Sequence, residues 1–342
     1  MKAIFFEQHG GIEVLRYADL PDPKPQPGEA LVRVRAVALN HLDIWVRRGW
    51  AGLNLVMPHI SGSDVAGEIV SVNADSVWTP GTKVIINPGL VTSEDEWTRR
   101  GEDSLSPGYR IFGEHVRGGL AEFATVPIQN VFTMPEELSF EEAAAPVLVA
   151  TTIWRMLFKR AALRAGESVL IVGSGGGVNS LCISFAKAAG AWVYVLAGGK
   201  EKAERAMKLG ADEVIDYTKF SKWPAEILRI THGRGVDVVV DNVGAPTIQN
   251  SLRAAARGGR IVTVGNTKGF EMQFDNRILF TKQVSILGST MGSRQDFLDA
   301  LQFMMQHKIK AVIDRVEPLS QGIKMLQLLE EGRQFGKIVL KP

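Results

Sequence analysis

Two hydrophobic rhythms divide this chain. Up to about position 90, apolar residues come in short runs with two-residue alternation, as in Leu31-Val32-Arg33-Val34-Arg35-Ala36-Val37, and breakers interrupt them at 21–28 and at Pro80-Gly81. Alternation of that period puts every second side chain on one face of an extended strand, so this half is expected to be mostly β. Positions 91–119 show neither period: Thr92-Ser93-Glu94-Asp95-Glu96-Trp97-Thr98-Arg99-Arg100-Gly101 is polar and charged, and is expected to be an excursion loop. From about Phe140 the pattern changes to a helix over 141–159 and then apolar runs at 168–172, 192–196, 236–240, 260–264 and 284–287, several separated by helix-period segments such as 181–189. Parallel strands buried on both faces read this way. Helices over 295–306 and 320–331 and a strand-like Lys337-Ile338-Val339-Leu340 complete the chain, which contains no internal repeat. The expected class is α/β, with a β domain joined to a doubly wound parallel sheet.

Composition narrows the partners. A chain of 342 residues, 45% hydrophobic and 22% charged, has room for two domains. Lysine plus arginine number 39 against 37 aspartate plus glutamate, without a long run of either sign, which argues against nucleic acid or an anionic membrane and for a small molecule. No uncharged apolar stretch reaches membrane-spanning length, and Met1-Lys2-Ala3-Ile4-Phe5-Phe6-Glu7 lacks the features of a secretory signal, so a cytoplasmic location is expected. Cys182 is the only cysteine, which excludes intrachain disulfides and any multi-thiolate metal site.

The densest chemistry lies at Val169-Leu170-Ile171-Val172-Gly173-Ser174-Gly175-Gly176-Gly177-Val178: a buried strand, a glycine turn and a helix start. Glycines let backbone amides approach a pyrophosphate, and the helix offers its unsatisfied N–H groups and positive dipole end, so Ser174, Gly175, Gly176, Gly177 and Val178 are candidate dinucleotide contacts. The strict G-x-G-x-x-G pattern is not met, because the register that puts Gly176 second has Ser174 first and Asn179 last, and slightly looser helix–strand packing is expected at Asn179. Past the second strand, Gly198-Gly199-Lys200-Glu201-Lys202 has no carboxylate at the strand end and two lysines close by, which suits a 2′-phosphate and favours NADP over NAD.

With Asn40-His41-Leu42-Asp43, Gly62-Ser63-Asp64-Val65-Ala66-Gly67-Glu68, Gly81-Thr82-Lys83-Val84 and Gly119-Leu120-Ala121-Glu122-Phe123 standing in order before that turn, the chain resembles the medium-chain dehydrogenase/reductase superfamily over its whole length, in its alcohol dehydrogenase and quinone oxidoreductase branches. The resemblance implies a GroES-like β domain over 1–140, a Rossmann domain over 141–290 and a segment, 291–342, returning to the first domain, with coenzyme and substrate in the cleft between domains. It also implies coenzyme contacts at Thr152, Lys202, Tyr217, Asn242, Val243, Gly244, Gly265 and Asn266, and pairing into a homodimer or homotetramer through the edge at 284–290.

The departures from that family are as informative. The three catalytic-zinc ligands of its metal-dependent members fall on Asn40, Ser63 and near Leu148, which supply no thiolate or imidazole, so no zinc is expected. The four cysteine positions of their structural-zinc lobe fall on Thr92, Asp95, Thr98 and Ser106; charge pairs among Glu94, Asp95, Glu96, Arg99 and Arg100 are expected to hold that lobe, weakly enough to leave it mobile. Without a Lewis acid, the implied chemistry is reduction of a quinone or α,β-unsaturated carbonyl by bound NAD(P)H. Candidate catalytic residues are Asn40 as hydrogen-bond donor, His41 as proton donor beside His59 and His115, and Asp43, more readily a salt-bridge partner than an acid. Trp45, Trp50, Tyr109 and Phe112 would line a substrate pocket or belong to the core. The alternatives are an alcohol or ketone oxidoreductase without standard zinc, or with a metal on Asp64, Glu114 and a histidine, and a protein that binds NADPH without turnover.

Overall fold

The computed structural model describes residues 1–342, which form two compact units. The first comprises Met1–Leu148, Ser293–Phe297 and Lys310–Pro342; the second comprises Val149–Gly292 and Leu298–Ile309. The C-terminal segment therefore does not return to the first unit as one piece.

The first unit is built on a mostly antiparallel sheet ordered Ile313–Pro318, Lys337–Lys341, Glu29–Ala38, Asp64–Val72, Lys83–Ile86 and Val131–Thr133, with Phe123–Pro127 also paired to Glu29–Ala38. Val32, Val34, Val65, Ile69, Val84 and Ile86 turn into one apolar core, as the alternation requires. The last strand lies with Val339 against Ala38, and Leu39 N–H donates to the Ile338 carbonyl at 2.9 Å. Asp64 faces Ala38 on the other side. Backbone register thus delivers Asn40, Asp64 and Lys337, far apart in sequence, to one end of the sheet.

Positions 91–119 are more regular than expected. Gly89–Val91 pairs with Tyr109–Ile111, and between them stand a helical turn, Glu96–Arg99, and a 3-10 turn, Asp103–Leu105.

The second unit carries six parallel strands in the order Glu213–Asp216, Trp192–Ala197, Ser168–Val172, Val236–Val240, Ala255–Thr263 and Ser285–Gly288. The chain starts at Ser168–Val172, moves outward one way, then returns to build the other half, so the switch point falls between Ser168–Val172 and Val236–Val240. Ligands of such sheets bind outside the strand ends at that point. Glu213–Asp216 was not among the expected runs, because only Ile215 of its four residues is buried. The helix expected over 141–159 is Phe140–Ala144, Val147–Trp154 and a π-helical turn Arg155–Arg160. No helix is long and apolar enough to cross a membrane.

Candidate functional site

The strand Ser168–Val172 is buried along its last four residues and ends in Gly173, whose φ of 91° lies where L side chains are strained. Gly176 caps the helix Gly177–Ala188, and a Cβ there would meet nothing within 4 Å. The protein's own packing does not demand that glycine, and the open space leaves room for a phosphate at the helix start. The hydroxyl of Ser174, beside it, is buried with no hydrogen-bond partner. Open space, an orphaned donor and a helix N-terminus together fit a dinucleotide.

Asn179 corrects an expectation. Its amide nitrogen donates to the carbonyls of Val172 at 2.9 Å and Gly173 at 3.0 Å, and its oxygen accepts from Asn242 Nδ2 at 3.1 Å. The last fingerprint position is therefore tied by hydrogen bonds, not loosely packed.

At the next strand end, a Cβ on Gly198 would run into the Tyr217 hydroxyl, so only glycine lets that ring lie over the turn. Gly199, at φ 90°, donates its N–H to Asp216 Oδ1 at 3.0 Å. The Thr218 hydroxyl, then the Gly199 N–H, hold the Asp216 carboxyl below its ordinary value. A carboxylate does stand here, contributed by the neighbouring strand and invisible to a scan of the second strand alone. Lys200 lies 3.7 Å from Glu204, both exposed. Beyond the switch point, buried Asp241 accepts from Val243 N–H, Thr247 Oγ1 and Ser251 Oγ, which fixes Val243 and Gly244, the latter at φ 96°. Gly265 N–H donates to Thr263 Oγ1 at 3.4 Å, and Asn266 packs where a Cβ on Gly244 would fall. Thr152 is buried and donates to the Met291 sulfur at 3.7 Å.

In the first unit Asn40 stands two residues past the strand Glu29–Ala38 and caps the helix His41–Arg48. Its side chain is committed inward: Oδ1 accepts from the Lys337 ammonium, and Nδ2 donates to Asp64 Oδ2 at 2.9 Å. Asp64 also accepts from Lys337 Nζ at 2.7 Å and, on Oδ1, from Leu148 N–H at 2.6 Å. Burial pushes the Asp64 carboxyl above its ordinary value, opposed by Lys337, Asn40 and the Leu148 N–H. Asp43 accepts from Asn40 N–H at 2.7 Å and Gly62 N–H at 3.0 Å, and burial raises it to about 7. Its partners are backbone amides, not the salt bridge expected. His41, half-buried on the first turn, packs edge-on to Trp45 with ring centroids 6.1 Å apart.

Asn40 and Leu148, two of the three family ligand positions, are thus tied together through Asp64 and an ammonium ion, and Ser63 carries only a buried, unpartnered hydroxyl. These residues do not fit zinc: the one carboxylate is hydrogen-bonded three ways, and a dication would share the cavity with Lys337. No three His, Cys, Asp or Glu side chains stand close enough to share a metal, so Asp64 and Glu114 do not join a histidine as ligands.

The lobe shows a second closure of this kind. Asp95 accepts from Trp97 and Thr98 N–H at 2.9 and 3.0 Å and from Ser106 Oγ at 2.6 Å, while Thr98 Oγ1 accepts from Asp95 N–H and Thr92 Oγ1 donates to the Gly108 carbonyl at 2.7 Å. Arg99 pairs with Glu94 and Arg100 with Glu96, all exposed, but Asp95 takes no part in those pairs. The four positions aligned with structural ligands hold the lobe by hydrogen bonds, and the expected charge pairs add only exposed contacts.

Of the other candidates, His59 is buried with Nε2 3.3 Å from the Gly113 carbonyl, and burial lowers it to about 4, so it is a neutral structural residue near pH 7. His115 Nδ1 accepts from Ile111 N–H, and its Nε2 lies 3.5 Å from Glu114 Oε1; burial lifts Glu114 to about 7. Tyr109 and Phe112 are core, whereas Trp50 is 46% exposed.

Comparison with known proteins agrees with this anatomy. Residues 26–136 match the family model described as alcohol dehydrogenase GroES-like domain, and residues 177–306 match that described as zinc-binding dehydrogenase. An acryloyl-coenzyme A reductase of Metallosphaera sedula is 32% identical over 99% of both chains. An NAD-dependent alcohol dehydrogenase of Sulfolobus acidocaldarius is 32% identical over 100% of this chain and 99% of that one. A solved structure titled as an NAD-dependent alcohol dehydrogenase superposes over 100% of both chains with a TM-score of 0.95 and 43% identity.

Proposed function

This chain belongs to the medium-chain dehydrogenase/reductase superfamily and is a nicotinamide-dependent oxidoreductase, and we propose that it reduces an α,β-unsaturated carbonyl or a quinone without zinc. The observation that carries this reading is the buried Asn40–Asp64–Lys337 cluster, which ties up two of the three ligand positions, Asn40 and Leu148, with a carboxylate and its counter-charge. Simple ketones need their carbonyl polarised before they accept a hydride; conjugated acceptors are reactive enough for positioning to supply much of the acceleration. The likeness to an acryloyl-coenzyme A reductase supports the same substrate class.

The bound coenzyme supplies the hydride. Ser174, Gly175, Gly176, Gly177 and Val178 offer the turn and helix start to its pyrophosphate, and Gly198, Gly199 and Tyr217 bound the adenosine end. Lys200 and Lys202 favour a 2′-phosphate, while Asp216 and the Glu204 carboxylate beside Lys200 oppose one; the two lysines at the strand end make NADPH the proposed coenzyme, tested by its dissociation constant against that of NADH. Thr152, Asn242, Val243, Gly244, Gly265 and Asn266 are proposed for the nicotinamide half.

Asn40 and Asp43 act in this reading as positioning residues, because their polar atoms are already engaged. His41 is the proposed proton donor to the product enolate or hydroquinone. His41→Gln should lower kcat while leaving coenzyme binding intact; full activity would move the role to the Glu114–His115 pair.

A second reading, alcohol dehydrogenase, is favoured by the 43% identical structure. Turnover of ketones only, or activity that appears on adding zinc, would select it. The edge strand Ser285–Gly288, with Ile286 exposed, is where we propose that two copies pair, which light scattering tests.

A further inference from the structure

Asn179 stands where the dinucleotide fingerprint has a glycine, and its hydrogen bonds cross the switch point of the sheet. Its Nδ2 holds the carbonyls of Val172 and Gly173 at the end of the central strand, and its Oδ1 accepts from Asn242, just past the end of Val236–Val240. Asn242 Oδ1 in turn accepts from Val264 N–H at 2.8 Å, just past Ala255–Thr263, and its own carbonyl accepts from Thr267 N–H at 3.2 Å. Two side-chain amides thus link three adjacent strand ends.

We infer that Asn179 and Asn242 are positioning residues for the bound dinucleotide, forming one hydrogen-bonded floor under the switch-point crevice. The inference rests on the dinucleotide reading and deepens it. In a trans peptide the N–H points opposite to the preceding carbonyl. With the Val172 and Gly173 carbonyls drawn to Asn179, the N–H groups of Gly173 and Ser174 are turned away from it. Side chains that orient a turn and fix the neighbouring strand end hold the pyrophosphate half and the nicotinamide half of a ligand in one register. The glycine that usually stands here achieves close packing but ties nothing across the crevice.

The test compares the wild-type chain with Asn179→Gly, Asn242→Ala and the double variant, titrated with NADPH, NADH and adenosine by tryptophan fluorescence. Each single variant is expected to raise the dissociation constant of the preferred dinucleotide about tenfold, as loss of one or two hydrogen bonds does. The double variant should be no worse than the weaker single one, because both break the same network. Binding of adenosine, which lacks the pyrophosphate and the nicotinamide half, should stay unchanged, and in turnover the coenzyme KM should rise by a larger factor than kcat falls. Unchanged dinucleotide binding in the variants, or an equal loss for adenosine, overturns the assignment and makes the pair plain structural filler. A wild-type chain that binds neither dinucleotide overturns the coenzyme reading itself, a result distinct from the first.

Discussion

The Asp64 cluster and the Asp95 lobe close two places in the same unit with a carboxylate, and they do it by different means. Asp64 is fully buried, so its charge is met by the Lys337 ammonium as well as by Asn40 and the Leu148 N–H. Asp95 is near solvent, and a hydroxyl and two backbone amides suffice. Burial decides the difference: a charge out of water needs a counter-charge and satisfied lone pairs, whereas a solvated one needs only donors in the right places. The same contrast appears in the acids themselves, with burial pushing Asp64 up and the Ser106 hydroxyl pulling Asp95 down.

The largest effect should follow from removing the counter-charge. Lys337→Met leaves the Asp64 carboxylate buried and unpaired, and should lower the unfolding free energy by about 3–5 kcal/mol in urea titration, with much of it restored in Lys337→Met/Asp64→Asn. Equal losses in the single and double variants would show that the ammonium is not there for the carboxylate. Next comes the lobe: Asp95→Ala removes a helix cap and the Ser106 acceptor, with an expected loss of stability smaller than that of Lys337→Met, faster amide exchange confined to 91–107 and unaltered turnover. An exchange change spread across the unit would erase the distinction between the two regions.

The pH dependences should run in opposite directions. Asp95 has a lowered folded pKa, so the stability it adds is complete above the ordinary carboxylate value and is lost as pH falls through the lower folded one. The raised Asp64 contributes most below the ordinary value and less as pH rises through its folded one, so the gap between wild type and Asp64→Asn should narrow as pH rises from the ordinary carboxylate range. Parallel pH profiles would contradict this. The smallest effect is expected from Arg99→Ala, whose ion pair with Glu94 is exposed on both sides: less than about 0.5 kcal/mol.

Much of this was legible along the chain. The apolar runs at 168–172 and 236–240 are strands end for end, since a strand buried on both faces leaves a continuous signature. The glycine turn and the odd residues Asn40, Ser63, Asp95, Ser106 and Asn179 could be singled out one by one. What each touches could not. Lys337 reaches Asp64 across 273 residues because of sheet register, and no local pattern encodes that approach. Asp216 was missed as a neighbour of Gly199 for a related reason: it arrives from the adjacent strand, whose single buried residue gives almost no hydrophobic signal. The lobe was misread because hydroxyls and capping carboxylates leave no periodicity, while its charged residues, conspicuous in sequence, make only exposed pairs.

The most direct test of the central claim is coenzyme oxidation by chelator-treated, metal-analysed protein, with NADPH beside NADH, against enones, quinones, ketones and aldehydes. The account predicts turnover of enones or quinones at full rate with less than stoichiometric metal, and a preference for NADPH. Activity confined to ketones and aldehydes, or dependent on added zinc, would contradict it.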